Sequence, residues 1–164
     1  MEPRLNYVKL SPEPLKAMYG IETYLRGCGL EHSLLELVKT RASQINECAF
    51  CLDMHTQDAR AAGETEQRLY ALNAWRETPF YTPRERAALA WTEAVTQLNG
   101  HVPDAVYDEV RPHFTEKELA DLTWAVVAIN GWNRLAISFR TVPGTYKPLM
   151  RAQMTAQITG ATVN

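Results

Sequence analysis

Two four-residue strings write helix starts into this chain and constrain its fold more than any other feature. In Thr82-Pro83-Arg84-Glu85 a capping threonine is followed by proline at the first helical position, and a glutamate three residues after the cap can return a bond to the cap's own amide. Thr115-Glu116-Lys117-Glu118 repeats the reciprocal cap. The remaining punctuation has the same character. Ser11-Pro12 opens a helix that ends near Gly27 or Gly29, and a second runs from about Glu31 to Ile45 with Leu34, Leu35, Val38, Ala42 and Ile45 on one stripe. Asn46 is placed to cap a third helix over Glu47 to Ala62, closed by Gly63. Thr65 caps a short helix carrying Leu69 and Leu72, and Thr82 opens one expected to stop at Gly100. Pro103 to Val110 is a shorter one, and Thr115 opens a long one reaching about Arg140, before Pro143-Gly144. Alternating strand patterns bracketed by hairpin turns are missing. The expected fold is all-α, a single-domain helical bundle of about six to eight helices over 1–164, without linker or low-complexity tract. Trp124 to Ile137 is apolar on more than one face, which places that helix at the centre of the bundle or in a subunit interface. The tail after Pro148 carries no clear signal.

Composition narrows the function classes. With 164 residues and 46% hydrophobic content the chain can bury a core without a disulfide or a metal. Seventeen basic against nineteen acidic residues give a net charge of −2, which supplies no bulk attraction to nucleic acid or to an anionic membrane. The longest strongly apolar run, Trp124 to Ile129, is far too short to span a bilayer. The opening Met1-Glu2-Pro3-Arg4-Leu5-Asn6 lacks the features of a secretory signal. Three cysteines are an odd number and too few for a secreted disulfide scaffold, so a reducing, cytoplasmic setting is expected.

The chemistry concentrates in Glu47-Cys48-Ala49-Phe50-Cys51-Leu52-Asp53-Met54-His55. On a helix, Cys48 and Cys51 are i, i+3 neighbours and Cys51 and His55 are i, i+4 neighbours, so the two thiols and the imidazole share one face. A thiol in the first helical turn feels the positive end of the macrodipole, which favours thiolate. A histidine one turn on can exchange a proton with Cys51, and a second thiol can capture a sulfenic acid as a disulfide. From these residues alone three readings stay open: a dithiol redox site, a pair of packing thiols, or part of a zinc site. Zinc would need His32, His101 or His113 to complete its ligands, and no metal or cofactor is expected. Cys28, without a partner in sequence, reads as a packing residue. His101 reads as a loop histidine, Glu93 as a group on a solvated helix face, and the four tryptophans as core or interface aromatics. Asn133 and Arg134, polar within an apolar helix, need partners and are expected to tie helices or subunits together.

Glu36-Leu37-Val38-Lys39 through Asn46-Glu47-Cys48-Ala49-Phe50-Cys51-Leu52-Asp53-Met54-His55-Thr56, with Asp58-Ala59-Arg60 and Gly63, resembles the core of the carboxymuconolactone decarboxylase family on its alkylhydroperoxidase branch. The pattern Glu-x11-Cys-x2-Cys-x3-His is matched by Glu36, Cys48, Cys51 and His55, and Thr82 to Thr96 and Trp132 to Ala136 extend the likeness over most of 30–140. The resemblance implies an antioxidant peroxidase that reduces organic hydroperoxides through a Cys48–Cys51 disulfide. It also implies an external dithiol or protein reductant and a homo-oligomer, trimer or hexamer. It makes Cys51 the attacking thiol, Cys48 the resolving one, His55 the proton-transfer partner and Glu36 the acid/base of a relay, whereas the helix terminus favours Cys48 as the reactive thiol. Some members carry a second histidine between the cysteines where this chain has Phe50. Periodicity alone puts Glu36 opposite the apolar stripe, on a solvated surface. The rival activities are decarboxylation of a small cyclic lactone such as carboxymuconolactone, which needs no redox pair, and a non-enzymatic redox-sensing subunit.

Overall fold

Both reciprocal caps form. Thr82 Oγ1 accepts from the Glu85 amide while the Glu85 carboxylate accepts from the Thr82 amide, and Thr115 and Glu118 do the same. The computed structural model describes residues 2–148, and the tail beyond Pro148 lies outside them. Among the described residues there are helices and no strand, as expected. In chain order they are α1 (Tyr7–Leu10), α2 (Pro12–Arg26), α3 (His32–Ile45), α4 (Ala49–Ala61), α5 (Glu66–Ala71), α6 (Pro83–Thr96), α7 (Asp104–Val110) and α8 (Glu116–Phe139), with 3-10 turns at Leu72–Glu77 and Arg111–His113.

The bundle is organised around α3 and α8. α3 packs against α4, α6 and α8, and α8 also meets α2, α4 and α6. Leu122, Val126 and Ile129 on α8 and Leu37 and Val38 on α3 are at 0% exposure. Each such side chain contributes about 1.5–3 kcal/mol relative to leaving it in water. α2 approaches α8 at Gly131, where an added Cβ would stand 3.0 Å from the end of Met18, so the absence of a side chain sets that close crossing. Burial of α8 is one-sided near its middle: Trp124 and Val127 remain 52% and 47% exposed.

Two departures from the sequence reading fall beside the cysteines. α1 was not foreseen; Asn6 caps this four-residue helix by accepting from the Lys9 amide. More consequentially, α4 starts later than Glu47. Glu47 sits in the left-handed region (φ 57°), which breaks the helical path, and Asn46 ends α3 instead of capping α4. Its carboxamide is turned across the bundle to Asn130 and Asn133 on α8. The break makes Cys48 the N-cap residue of α4 and puts Cys51 in its first turn. The helix opened by Thr82 ends at Thr96, short of Gly100.

Candidate active site

α4 carries three of the four expected site residues, and α3 carries the fourth. Cys48 and Cys51 are both free thiols with 1% exposure, and His55 is 6% exposed. Glu36 is 5% exposed rather than solvated. One apolar stripe does not reveal this, because α3 is covered on three sides, and Lys39, Thr40 and Ser43 are buried with Glu36. Glu36 Oε2 and His55 Nδ1 stand 2.8 Å apart, bridging α3 to α4. This contact fixes the imidazole and leaves Nε2 for proton exchange. Burial pushes the Glu36 carboxyl up, but the His55 charge and hydrogen bond, followed by Lys39, hold it below the usual carboxylate range. Lys39 is itself paired to Glu22 at 2.7 Å, and Trp132 Nε1 donates to the other oxygen of Glu22 at 3.0 Å.

The two thiols are electrostatically unequal. Cys48 is held down to about 7: the neighbouring Cys51 thiol lowers it most, burial opposes, and the Cys51 backbone and the Asn133 carboxamide lower it further. Cys51 is pushed up by its bond to Cys48, by burial and by the neighbouring charge. Both shifts run in the direction that favours the thiolate on Cys48, at the helix terminus, over Cys51. Around the sulfurs lie Ala42, Ile129 and Ala136, with Phe50 and Trp132 at the edge. Phe50 thus occupies an apolar wall at the position where some members carry a second histidine.

Beyond the expected four, the structure brings Asp58 and Tyr146 to the relay. Asp58 lies three residues after His55, and its carboxylate accepts from the Tyr146 hydroxyl at 2.7 and 2.8 Å to its two oxygens. Burial raises Asp58 above the usual range, with the Tyr146 bond opposing and the Glu36 charge adding to the rise. Ligand atoms of Glu36, His55 and Asp58 lie within 4.8 Å of one another, a set that could hold a divalent cation. The Gly144 amide donates to Asp53, so the segment around 144–146 straps across α4 at two points. Asp58 was legible as a carboxylate on the His55 face; Tyr146, 88 positions away, had no sequence signal.

Cys28 is half-buried and packs on the main core. His101 is exposed, as expected. Glu93 is no surface group: it receives Arg41 and Trp75 Nε1 at 2.8 Å each, together with Arg76, and these partners hold its carboxyl low against the cost of burial. Asn133 does tie α8 to α3, but Arg134 is exposed and bonds Asn130 on its own helix.

Comparison with known proteins agrees with this architecture. The family model of the carboxymuconolactone decarboxylase family matches residues 12–94. An uncharacterised protein of Bacillus subtilis, YdfG, is 45% identical over 139 residues, covering 84% of this chain and 95% of its own length. A crystal structure from Agrobacterium tumefaciens, of a protein of unknown function named as a candidate antioxidant defence protein AhpD, superposes with a TM-score of 0.84 at 44% identity, covering 88% of this chain and 100% of that one. An uncharacterised peroxidase-related protein from Silicibacter shares the fold at a TM-score of 0.71 and 23% identity, covering 82% and 72%.

The Glu36–His55 contact gives a stability signature. A carboxylate whose folded pKa is depressed contributes stability above its unfolded value of about 4.3, and loses it as the pH falls through the folded value. Urea unfolding between pH 6 and 3 should show Glu36→Gln losing less stability with acid than the native chain; parallel acid limbs would contradict the pairing. His55→Leu leaves Glu36 buried without its partner and should cost about 3–5 kcal/mol at neutral pH.

The chain belongs to the carboxymuconolactone decarboxylase family and has the fold of its alkylhydroperoxidase-like members.

Proposed function

We propose that this protein is a thiol peroxidase that reduces organic hydroperoxides through a Cys48–Cys51 disulfide. The observation that carries the reading is the buried Glu36–His55 pair at 2.8 Å, placed one helical turn from a thiol pair at the terminus of the same helix. A decarboxylase has no use for two adjacent thiols of opposed acidity, and a packing pair has no use for a charged relay beside it.

The Cys48 thiolate attacks the distal peroxide oxygen; the O–O bond breaks, His55 gives a proton to the departing alkoxide, and Cys48 becomes a sulfenic acid. Cys51, whose proton is held tightly, yields it to the now neutral His55, with Glu36 stabilising the imidazolium that forms. The Cys51 sulfur then attacks the Cys48 sulfur, and the hydroxide takes the proton from His55 and leaves as water. An external dithiol or a protein reductant supplies two electrons and two protons to reopen the disulfide. This order reverses the roles implied by resemblance, because the thiolate, not the thiol, is the nucleophile.

The reading includes a homo-oligomer. Trp124 and Val127 stand about half exposed on the outer side of α8, 52% and 47% respectively, and such apolar area is usually covered.

With a dithiol reductant and an organic hydroperoxide, the native chain should turn over, and Cys48→Ser and Cys51→Ser should each lose at least about 100-fold. Cys51→Ser should still accumulate a trappable sulfenic acid on Cys48, whereas Cys48→Ser should accumulate none. Substantial turnover by the double variant would remove the mechanism, and a sulfenic acid confined to Cys51 would restore the opposite order. Light scattering should give a mass that is a multiple of the 18.6 kDa chain; a single-chain mass would remove the oligomer.

A further inference from the structure

Asn133 stands at 0% exposure on α8, between Ile129 and Ala136, two of the α8 residues that pack on the cysteines. A buried carboxamide must be satisfied, and the partners of this one fix which way it points. On one side, Asn46 Nδ2 donates to Asn133 Oδ1 at 2.9 Å. On the other, Asn133 Nδ2 donates to Ser43 Oγ at 3.1 Å. Ser43 spends its own proton on the Lys39 carbonyl at 2.8 Å, so its oxygen can only accept. An inverted amide would set nitrogen against the Asn46 donor and oxygen against a Ser43 lone pair. Asn46 is held in turn by a second bond to Asn130 Oδ1 at 2.9 Å, and Asn130 Nδ2 reaches Thr96 Oγ1 at 3.1 Å. The nitrogen of Asn133 carries two protons, and Ser43 takes one.

We infer that Asn133 is a catalytic residue of the thiol pair: its second amide proton goes to the Cys48 sulfur and holds it in the charged, attacking form. The surroundings make such a donor necessary. Ala42, Ile129 and Ala136 form an apolar lining, which penalises an isolated thiolate. A hydrogen bond to a charged acceptor is about twice as strong as a neutral one, and a carboxamide supplies it without adding charge. Ser43, which holds the Asn133 nitrogen, also accepts from the Cys48 amide at 3.0 Å through its carbonyl, so the carboxamide stands beside Cys48, where it favours the thiolate. Of the titratable groups, His55 lies one helical turn from Cys51 on α4, Glu36 of α3 stands behind His55 with Lys39 one turn along, and Tyr7 on α1 feels both thiols, while Ile129, Asn133 and Ala136 of α8 carry no charge. Tyr7 is raised by burial, with smaller contributions from both thiols, so it stays a neutral phenol at the working pH.

The inference deepens the peroxidase reading and rests on it, yet it is read without peroxide. The pH dependence of iodoacetamide alkylation at Cys48, mapped by mass spectrometry on the reduced full-length protein, reports the thiolate directly. Asn133→Leu and Asn133→Asp should move the midpoint up by about one unit or more and slow alkylation at pH 7 roughly tenfold, with rates converging with the native chain above about pH 9. Asn46→Ala, at the half-buried end of α3, should release the carboxamide and give a smaller shift in the same direction. A folded variant at either position with an unchanged midpoint, or a loss equal at every pH, would overturn the assignment; if the Asn133 variants do not fold, the Asn46→Ala midpoint decides alone. A shifted midpoint without peroxide consumption would keep Asn133 in its role and remove the peroxidase reading instead.

Discussion

The site depends on one buried contact, the 2.8 Å pairing of Glu36 on α3 with His55 on α4. Taking a carboxylate and an imidazole out of water is costly, and their attraction repays it only when the geometry is good and the remaining lone pairs find partners. Here both side chains are only 7% exposed, with Lys39 as a further cation one turn along α3. A buried pair of this kind is weak evidence for stability. What it does supply is a fixed imidazole orientation next to the thiols, and the packing of α3 against α4, α6 and α8 is what keeps it dry.

The second constraint is the backbone break at Glu47. A left-handed residue between α3 and α4 ends one helix and sets the start of the next, so Cys48 falls on the terminus and Cys51 inside the first turn. Had the helix begun at Glu47, both sulfurs would lie inside its opening turn with less to separate them. The break turns a three-residue spacing into two chemically different thiols: Cys48 at the positive end of the dipole, pulled toward the thiolate, and Cys51 inside the first turn, pushed toward the thiol. It also frees the Asn46 side chain to cross to α8, where it orients Asn133.

Much of this was legible in the sequence because it is local. The caps at Thr82 and Thr115, the Thr65 cap and the extents of α2, α3 and α8 follow from short-range chemistry, and the cysteine and histidine spacing needed only the helical period. What was hidden is tertiary. Periodicity sees one apolar stripe and so assigns Glu36 to water, whereas three helices cover α3. The same blindness put Glu93 on a solvated face, when it is a hub for Arg41, Arg76 and Trp75. Asn133 was visible as a polar residue in an apolar helix, but its partners Ser43 and Asn46 lie 90 and 87 positions away. Tyr146 reaches Asp58 only because the chain after α8 folds back across α4.

The central claim is that this helix turn works as a two-electron couple driven by peroxide. The most direct test is thiol counting with peptide mapping after one equivalent of organic hydroperoxide is added to the reduced protein, quenched by alkylation within the first turnover. The account predicts the loss of two thiols per chain, recovered in a peptide bearing a Cys48–Cys51 disulfide, with Cys28 still alkylated. Retention of all three thiols, or a disulfide that includes Cys28, would contradict it.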